Sequence, residues 1–524
     1  MSSVSEPTRP HHDVDRHDVE PVNADPSDKP LYEGRKKIFP KRASGRFRRL
    51  KWIIMAVTLG IYYVTPWLRW DRGQFAPDQA VLVDMANRRF YFFMVEIWPQ
   101  EFFFVAGMLV MAGIGLFLVT SVAGRAWCGY TCPQTVWTDL FLVIERFIEG
   151  DRNARIRLDN AHWSLNKIAK RVSKHAIWLV IAVATGGAWI FYFADAPTLA
   201  DQFIHGEAPT VAYMTVAVLT ATTYVFGGLM REQVCIYMCP WPRIQAAMLD
   251  EESLTVTYND WRGEPRGRGK KRKAAAGVKT GDCVDCNACV VVCPMGIDIR
   301  DGQQMACITC ALCIDACDEV MDKLGRDRGL ISYATLSDYN LNMAMATEPG
   351  SGRIDPDRVH TDDGHIKDGF RHFRWSHLLR PRTFIYTGLW VAIGIAMLLA
   401  LGMRDRLEVN VLHDRNPVFT RLSDGSVQNG YTIKILNMKP EPRTIRLGIE
   451  GLEGASMSVN EINDEPARSV AVPVDPDKLR QLKVFVTVPR DRLAAGKTSF
   501  TFSVDDQSDQ EHDSYRARFE APEN

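Results

Sequence analysis

The chain has 524 residues, and 63 Lys+Arg are balanced by 63 Asp+Glu, so its formal net charge is zero. That balance excludes a general nucleic-acid binder, which carries a strong basic excess. Hydrophobic residues at 46% and charged residues at 24% exclude global disorder, and a mean hydropathy of −0.14 excludes a chain buried in membrane throughout.

Residues 1–34 are rich in Pro, Asp, His and Ser and read as a disordered leader. Five later stretches are apolar over the roughly 20 residues that cross a bilayer core. They are 51–69, 102–123, 175–194, 209–230 and 383–403. Lys and Arg crowd 35–51, 124–174 and the run RGRGKKRK at 266–273, whereas 195–208 has neither. Positive charge stays in the cytoplasm, so the N-terminus, 124–174 and 231–382 are expected inside. The loops 70–101 and 195–208 and the C-terminal region are then outside.

These boundaries predict a membrane domain with four spans over 35–260 and a basic linker with a cysteine-rich domain over 261–344. A linker over 345–382, a fifth span over 383–403 and a final domain over 404–524 follow. The final domain holds eight short runs of β-branched and alternating residues, from LEVNVL to YRARFEA, with turn signals between them. That pattern predicts a β-sandwich.

All 12 cysteines fall in short-spaced clusters. CVDCNACVVVCP at 283–294 has the spacing C-x2-C-x2-C-x3-C-P, and CITCALCIDAC at 307–317 repeats it with Asp318 in place of the proline. This is the bacterial two-cluster ferredoxin pattern, in which the fourth ligand of each run serves the other cluster. Cys283, Cys286, Cys289 and Cys317 are expected to hold one 4Fe–4S cluster, and Cys307, Cys310, Cys313 and Cys293 the other. Four-cysteine zinc sites also use C-x2-C, but they do not need this longer spacing twice over.

The remaining four cysteines form two Cys-x-x-x-Cys-Pro motifs, Cys128/Cys132 and Cys235/Cys239, each after a hydrophobic span and a basic residue. Matched segments in two halves of a membrane protein often build one site between them. Pro133 and Pro240 place Cys132 and Cys239 at helix boundaries. A helix N-terminus lowers a thiol pKa, and Arg125, Arg231 and Arg243 are candidates to lower it further. Soft thiolates suit copper(I), zinc or iron–sulfur centres. Copper, a third cluster bridging the motifs and a dithiol/disulfide pair all stay open. No span carries an interior His, which argues against a bis-histidine cytochrome b. There is no C-x-x-C-H, no Walker A motif and no G-x-G-x-x-G after a strand.

With these residues the chain resembles the cytochrome c oxidase accessory protein family of FixG/CcoG type. The resemblance rests on RRFYFFMVEIWPQEFFF at 88–104, WCGYTCPQTVWTDLF at 127–141 and VCIYMCPWPRIQAAMLD at 234–250. It continues through GDCVDCNACVVVCPMGIDIRDG at 281–302, CITCALCIDACDEVMDKLGR at 307–326 and HDRNPVFTRLSDGSVQNGYTIKILN at 413–437. It implies an α-helical polytopic membrane protein of five spans, with two cytoplasmic 4Fe–4S clusters in a ferredoxin-like domain and a periplasmic immunoglobulin-like sandwich. The implied setting is the bacterial inner membrane. The implied role is reduction of copper(II) to copper(I) in the assembly of cbb-type cytochrome c oxidase, with Cys128, Cys132, Cys235 and Cys239 as the copper-linked residues. Implied partners are that oxidase or its assembly factors, a copper transporter or chaperone, and a cytoplasmic electron donor of unknown identity. A related membrane ferredoxin family of NapH type shares the motifs and is thought to draw electrons from quinol. A quinol-linked electron-transfer subunit and a non-enzymatic assembly scaffold are therefore the rival expectations.

Overall fold

The computed structural model describes residues 14–22, 36–267, 280–371, 374–506 and 511–522. They divide into two compact units, one of residues up to Pro66 with Val105–Gly394, the other of Trp67–Phe104 with Ile395–Asn524.

In chain order the first helices are α1 (Arg46–Val64), α2 (Phe103–Ala123), α3 (Ala126–Tyr130), α4 (Pro133–Glu149), α5 (Arg152–Asn160), α6 (Leu165–Thr185) and α7 (Ala196–His205). They are followed by α8 (Thr210–Thr223), α9 (Trp241–Met248), α10 (Asp260–Gly263), α11 (Ala288–Val292), α12 (Leu312–Leu324), α13 (Leu336–Ala346), α14 (Pro356–Val359) and α15 (Pro381–Gly402). Among the described residues four helical stretches are long and apolar enough to cross a membrane: Pro99–Ala123, Leu165–Tyr192, Thr210–Met230 and Pro381–Gly402. The expected first span is the exception. α1 opens on Arg46, Arg48, Arg49 and Lys51, and its apolar run from Trp52 to Val64 covers about 20 Å at 1.5 Å per residue. Arg48 and Lys51 are buried, because both reach Asp139 on α4, at 2.8 and 3.7 Å.

Outward faces of these helices are apolar and exposed, and α15 buries no residue at all. Such surfaces suit lipid rather than water. Inward faces use small residues to approach closely. A side chain at Gly186 would meet Thr223 Oγ1 at 2.3 Å and the Leu219 carbonyl at 2.5 Å. Below them, Glu145 and Glu149 at the end of α4 gather Arg231 (2.8 Å), Lys174 (3.0 Å) and Arg171 (3.1 Å). These ion pairs tie α4 to α6 and to the end of the Thr210–Met230 helix.

Three expectations need correction in the first unit. Residues 14–22 are not a free leader: the His17 N–H donates to the Cys286 carbonyl at 3.1 Å, and that of Val22 to Gly296 at 2.9 Å. The rest of 1–34 lies outside the described residues. Trp261, expected in a linker, is buried and stacks on Phe370 with centroids 4.5 Å apart. Ala346 and Val359 pack on it, so this part of the 345–382 linker is fastened rather than loose. Residues 268–279, which include most of the basic run at 266–273, lie outside the described residues.

The second unit holds two sheets face to face. One runs in the order Asn463–Ala467, Ser456–Val459, Leu479–Val488, Val427–Asn437, Leu407–His413, with Thr420–Arg421 paired onto Val427–Asn437. The other runs Ser469–Val474, Arg443–Glu450, Lys497–Asp506, His512–Glu520. Alternate residues point inward, so Tyr431, Ile433, Ile435, Val484, Val486 and Phe502 are fully buried. The Tyr431 hydroxyl donates to the Arg518 carbonyl at 2.6 Å and joins the two sheets. The segment 70–101, expected as a loop, contains three antiparallel strands, Val81–Asp84, Arg89–Phe92 and Val95–Ile97. Arg89 donates to the Asp477 carbonyl at 2.5 Å, so this small sheet belongs with the sandwich.

Candidate iron–sulfur and thiol site

The two cysteine runs are two copies of one loop. In each, the residues on either side of the second cysteine have positive φ: Asp285 (53°) and Asn287 (60°), then Thr309 (51°) and Ala311 (60°). Left-handed residues at this spacing curl the chain so that successive N–H groups point into its hollow, a nest for negative charge. The Thr309 N–H faces Cys307 Sγ at 3.4 Å. Those of Ala288 and of Met295 and Ile297 face Cys286 and Cys293.

A helix opens after each loop, with the third cysteine, Cys289 or Cys313, at its second position. Their lengths differ for a local reason. α11 stops at Cys293, which is extended (φ −67°, ψ 120°), because Pro294 excludes helix geometry there. α12 has Asp318 where that proline would stand and continues to Leu324. Cys317 is thus carried within a helix, and Cys293 at the end of one.

The structure brings Cys283, Cys286, Cys289 and Cys317 around one small void of about 20 Å³. Cys293, Cys307, Cys310 and Cys313 surround a second of about 20 Å³, which Cys289 also borders. Val256, Ile297, Ile308, Leu312, Met321 and Ile331 are among the apolar walls. Burial pushes the Cys307 thiol up to about 11 and the Cys293 thiol to about 12. Thiolates there need a cationic partner, which suits an iron ligand set and not a free nucleophile. Among the described residues no three His, Cys, Asp or Glu lie close enough to hold a single metal ion. Arg300 borders the first void, with Asp298 at 2.6 Å, Asp285 at 2.7 Å and the Asn287 side chain at 2.7 Å. Burial opposes its charge, but the hydrogen-bonded Asp298 and the neighbouring Cys289 hold its pKa above the ordinary value.

The membrane-edge thiols lie beside the second void. The turn Trp127–Pro133 sits directly on the Cys310 loop: a side chain at Gly129 would meet the Ile308 carbonyl at 2.7 Å and Cys310 Cα at 3.0 Å. The Tyr130 hydroxyl donates to the Cys310 carbonyl at 3.2 Å, and Tyr333 to that of Thr309 at 2.7 Å. Cys132 caps α4, and its carbonyl receives the N–H groups of Thr135 and Val136, both at 3.0 Å. Cys239 is extended one residue before Pro240, which itself caps α9.

Each of the four thiols is half-buried. Cys128 donates to Gln245 Oε1 at 3.0 Å, and Gln245 in turn donates to Thr120 at 3.2 Å. Burial pushes the Cys128 thiol up to about 11 against the pull of Arg125, with Cys132 and Cys239 near enough to add to the rise. Burial and the nearby Cys132, Cys128 and Cys239 push Cys235 up to about 12. Gln245 lies on α9, just after Cys239, so its bond to Cys128 joins the segments that carry the two motifs. Of the three arginines expected near them, Arg125 faces Cys128 and also donates to the Met305 carbonyl. Arg231 is committed to Glu145 at 2.8 Å, and Arg243 reaches the Cys239 carbonyl, not its thiol, at 3.4 Å. Arg300, Gln245 and the seat under Gly129 escaped sequence reasoning.

Apolar helices, a two-loop ferredoxin-like domain and a β-sandwich define a membrane-associated iron–sulfur electron-transfer protein. A 4Fe–4S dicluster domain family matches residues 230–336, and a 4Fe–4S binding domain family matches 104–149. The family of the IG-like fold at the C-terminus of FixG matches 397–522. Nitrogen fixation protein FixG of Rhizobium meliloti (strain 1021) is 67% identical over 509 residues, 97% of each chain. Protein RdxB of Cereibacter sphaeroides is 52% identical, over 91% of this chain and 94% of its own. The chain belongs to the FixG family. Among solved structures, a FixG-related protein from Vibrio parahaemolyticus aligns at 23% identity with a TM-score of 0.20, over 22% of this chain and 97% of its own.

Proposed function

We propose that this protein reduces copper(II) to copper(I) at Cys128, Cys132, Cys235 and Cys239, for assembly of the haem–copper centre of cbb-type cytochrome c oxidase. Cys283, Cys286, Cys289 and Cys317 hold one 4Fe–4S cluster, and Cys293, Cys307, Cys310 and Cys313 the other. Each cluster, when bound, stores and releases one electron. The observation that carries this reading is the seat of Gly129 on Cys310, which leaves backbone contact between the thiol turn and a cluster loop. Copper(II) is a substrate here: one electron converts it to copper(I), which soft thiols prefer. Gln245 accepts from the Cys128 thiol and fixes where it points. The proposal places the N-terminus and cluster domain in the cytoplasm and the sandwich in the periplasm of a five-span protein, as the loop charges favour. Copper(I) then passes to a chaperone or transporter, and the sandwich docks on the oxidase or an assembly factor.

A second reading is favoured by one pair of observations. The 4Fe–4S binding family matched at 104–149 covers Cys128 and Cys132, and no three of the membrane-edge thiols are close enough for one ion. A third cluster shared by the two motifs fits both facts. Anaerobic protein with reduced clusters, freed of excess reductant and mixed with copper(II), separates the readings. Matched cluster oxidation and copper(I) production, lost when all four cysteines become serine, supports copper reduction at these thiols. Clusters that stay reduced sink it. Iron that falls by one cluster's worth in the serine variant supports the third cluster.

A further inference from the structure

A cavity of about 840 Å³ lies between the start of α1, the end of α4 and α12, the helix that carries Cys313 and Cys317. Arg42, Arg46 and Arg49 border it, and all three are exposed and close no ion pair among the described residues. The carboxylates that border it are committed. Asp315 accepts the backbone N–H groups of Phe47 and Arg48, and Asp318 accepts that of Gly329 at 2.9 Å. Asp322 pairs with Arg328 at 2.7 Å and Glu319 with Lys323 at 2.8 Å. The charge left to meet a ligand is therefore positive, and guanidinium forks match the oxygens of a phosphate.

The apolar surface beside the cavity says what carries that phosphate. Trp52 and Phe147 also border it and are exposed, Phe147 to 86%. Beyond Arg49, the residues Ile53, Val57 and Ile61 follow at intervals of four on α1, so they share one face, and all three are exposed. From Ile53 to Ile61 is about 12 Å at 1.5 Å per residue. One leaflet is roughly 15 Å deep, half of a 30 Å hydrocarbon core. A basic pocket at the head of an apolar stripe has the form of an amphiphile, and a soluble phosphate would leave the stripe uncovered. We infer that the cavity binds the phosphodiester head group of an anionic glycerophospholipid, with one acyl chain along Ile53, Val57 and Ile61.

The inference goes beyond the electron-transfer reading above and does not depend on copper as acceptor. Its consequence is mechanical. α12 forms one wall of the cavity and the start of α1 another, so a bound lipid ties the membrane surface to a helix that holds two cluster ligands.

The test uses the full-length, cluster-loaded protein, stripped of lipid in mild detergent under anaerobic conditions. It is titrated with palmitoyl-oleoyl phosphatidylglycerol, and lipid adducts are counted by native mass spectrometry. Palmitoyl-oleoyl phosphatidylcholine and sn-glycerol 3-phosphate are titrated in parallel, and cluster absorption shows that each sample is folded. Phosphatidylglycerol should bind more tightly than phosphatidylcholine. Replacing Arg42, Arg46 and Arg49 together by Gln should weaken it by on the order of a hundredfold, and replacing all three by Lys should keep most of the affinity. Should the Gln triple lose its clusters, Arg49→Gln alone should weaken binding by about fivefold. Arg157→Gln, Arg353→Gln and Arg371→Gln combined remove the same charge from exposed positions away from the cavity and should leave binding like the parent's. Phosphatidylglycerol bound equally by the parent and the Gln variants, or phosphatidylcholine bound as tightly as phosphatidylglycerol, overturns the inference. Displacement of phosphatidylglycerol by an equal concentration of sn-glycerol 3-phosphate overturns it too, since the site then belongs to a free phosphate.

Discussion

The backbone N–H of Arg48 donates to Asp315 Oδ2 at 2.7 Å, and that of Phe47 to the other oxygen at 3.1 Å. The start of α1 is therefore fixed to α12, the helix that carries Cys313 and Cys317. Three long apolar helices lie between Arg48 and Asp315 in sequence. Three crossings alone would put the two residues on opposite sides of a bilayer. The five-span proposal makes α1 the fourth crossing, which returns the two residues to one side. Alkaline phosphatase fused after Gly73 should be active, and fused after Asn160 or Gly350 it should be silent. Silence after Gly73 would rule out the five-span arrangement.

Gly129→Ala places a methyl group 2.7 Å from the Ile308 carbonyl and 3.0 Å from Cys310 Cα. Neither neighbour is a flexible side-chain end, so the turn must lift from the cluster loop, at a cost of about 1–3 kcal/mol. All 12 cysteines remain. The clusters should assemble normally, and their oxidation by copper(II) should slow in stopped-flow absorption. A parental rate would remove this turn from the electron route.

How much of this was readable beforehand depended on whether the signal was local. The likeness to the two-cluster ferredoxin pattern carried the interleaved grouping, with Cys317 beside the first loop and Cys293 beside the second, because in that pattern each run lends its fourth cysteine to the other. The left-handed positions that aim the N–H groups were invisible, since Asp285, Asn287, Thr309 and Ala311 stand where glycine would have announced them. Eight sandwich runs were readable from alternation, whereas Thr420–Arg421 is too short and Asn463–Ala467 too polar to show one. VLVD, RFYF and VEI near residue 90 are only three or four residues long and show no sustained alternation, so next to a membrane span they read as flanking loop. Arg125 and Arg231 both precede a cysteine motif. Only the tertiary position of Glu145 decides that Arg231 is spent elsewhere.

Arg300 should set the potential of one cluster and not the other. Its guanidinium borders the void of Cys283, Cys286, Cys289 and Cys317 and neutralises Asp285 and Asp298. Arg300→Gln removes that positive charge and leaves two carboxylates facing the site. A charge change at this range in a partly screened interior shifts that cluster's potential negative by on the order of 50–100 mV. Arg300→Lys should shift it less. Redox titration followed by electron paramagnetic resonance resolves the two clusters. Equal shifts in both, or none, would show that Arg300 acts only as a strut.

Glu96 gives the second unit a pH dependence of definite sign. Burial, helped by the charge of Asp477, pushes its carboxyl from 4.5 up to about 7. Arg89 lies 3.0 Å away but does not reverse this, because it is shared with Asp477 at 3.9 Å. The folded state then holds a proton that the unfolded chain has released. The group's contribution is full below about pH 4.5, is lost as pH rises to about 7, and amounts to about 3 kcal/mol. Thermal unfolding of the strand signal, followed by circular dichroism on the full-length protein, should fall in midpoint across that window. Glu96→Gln cannot ionise, and its midpoint should lie above the parent's at pH 8 and vary less with pH. A parent midpoint that rises between pH 5 and 7 would mean that the Arg89 pair outweighs burial.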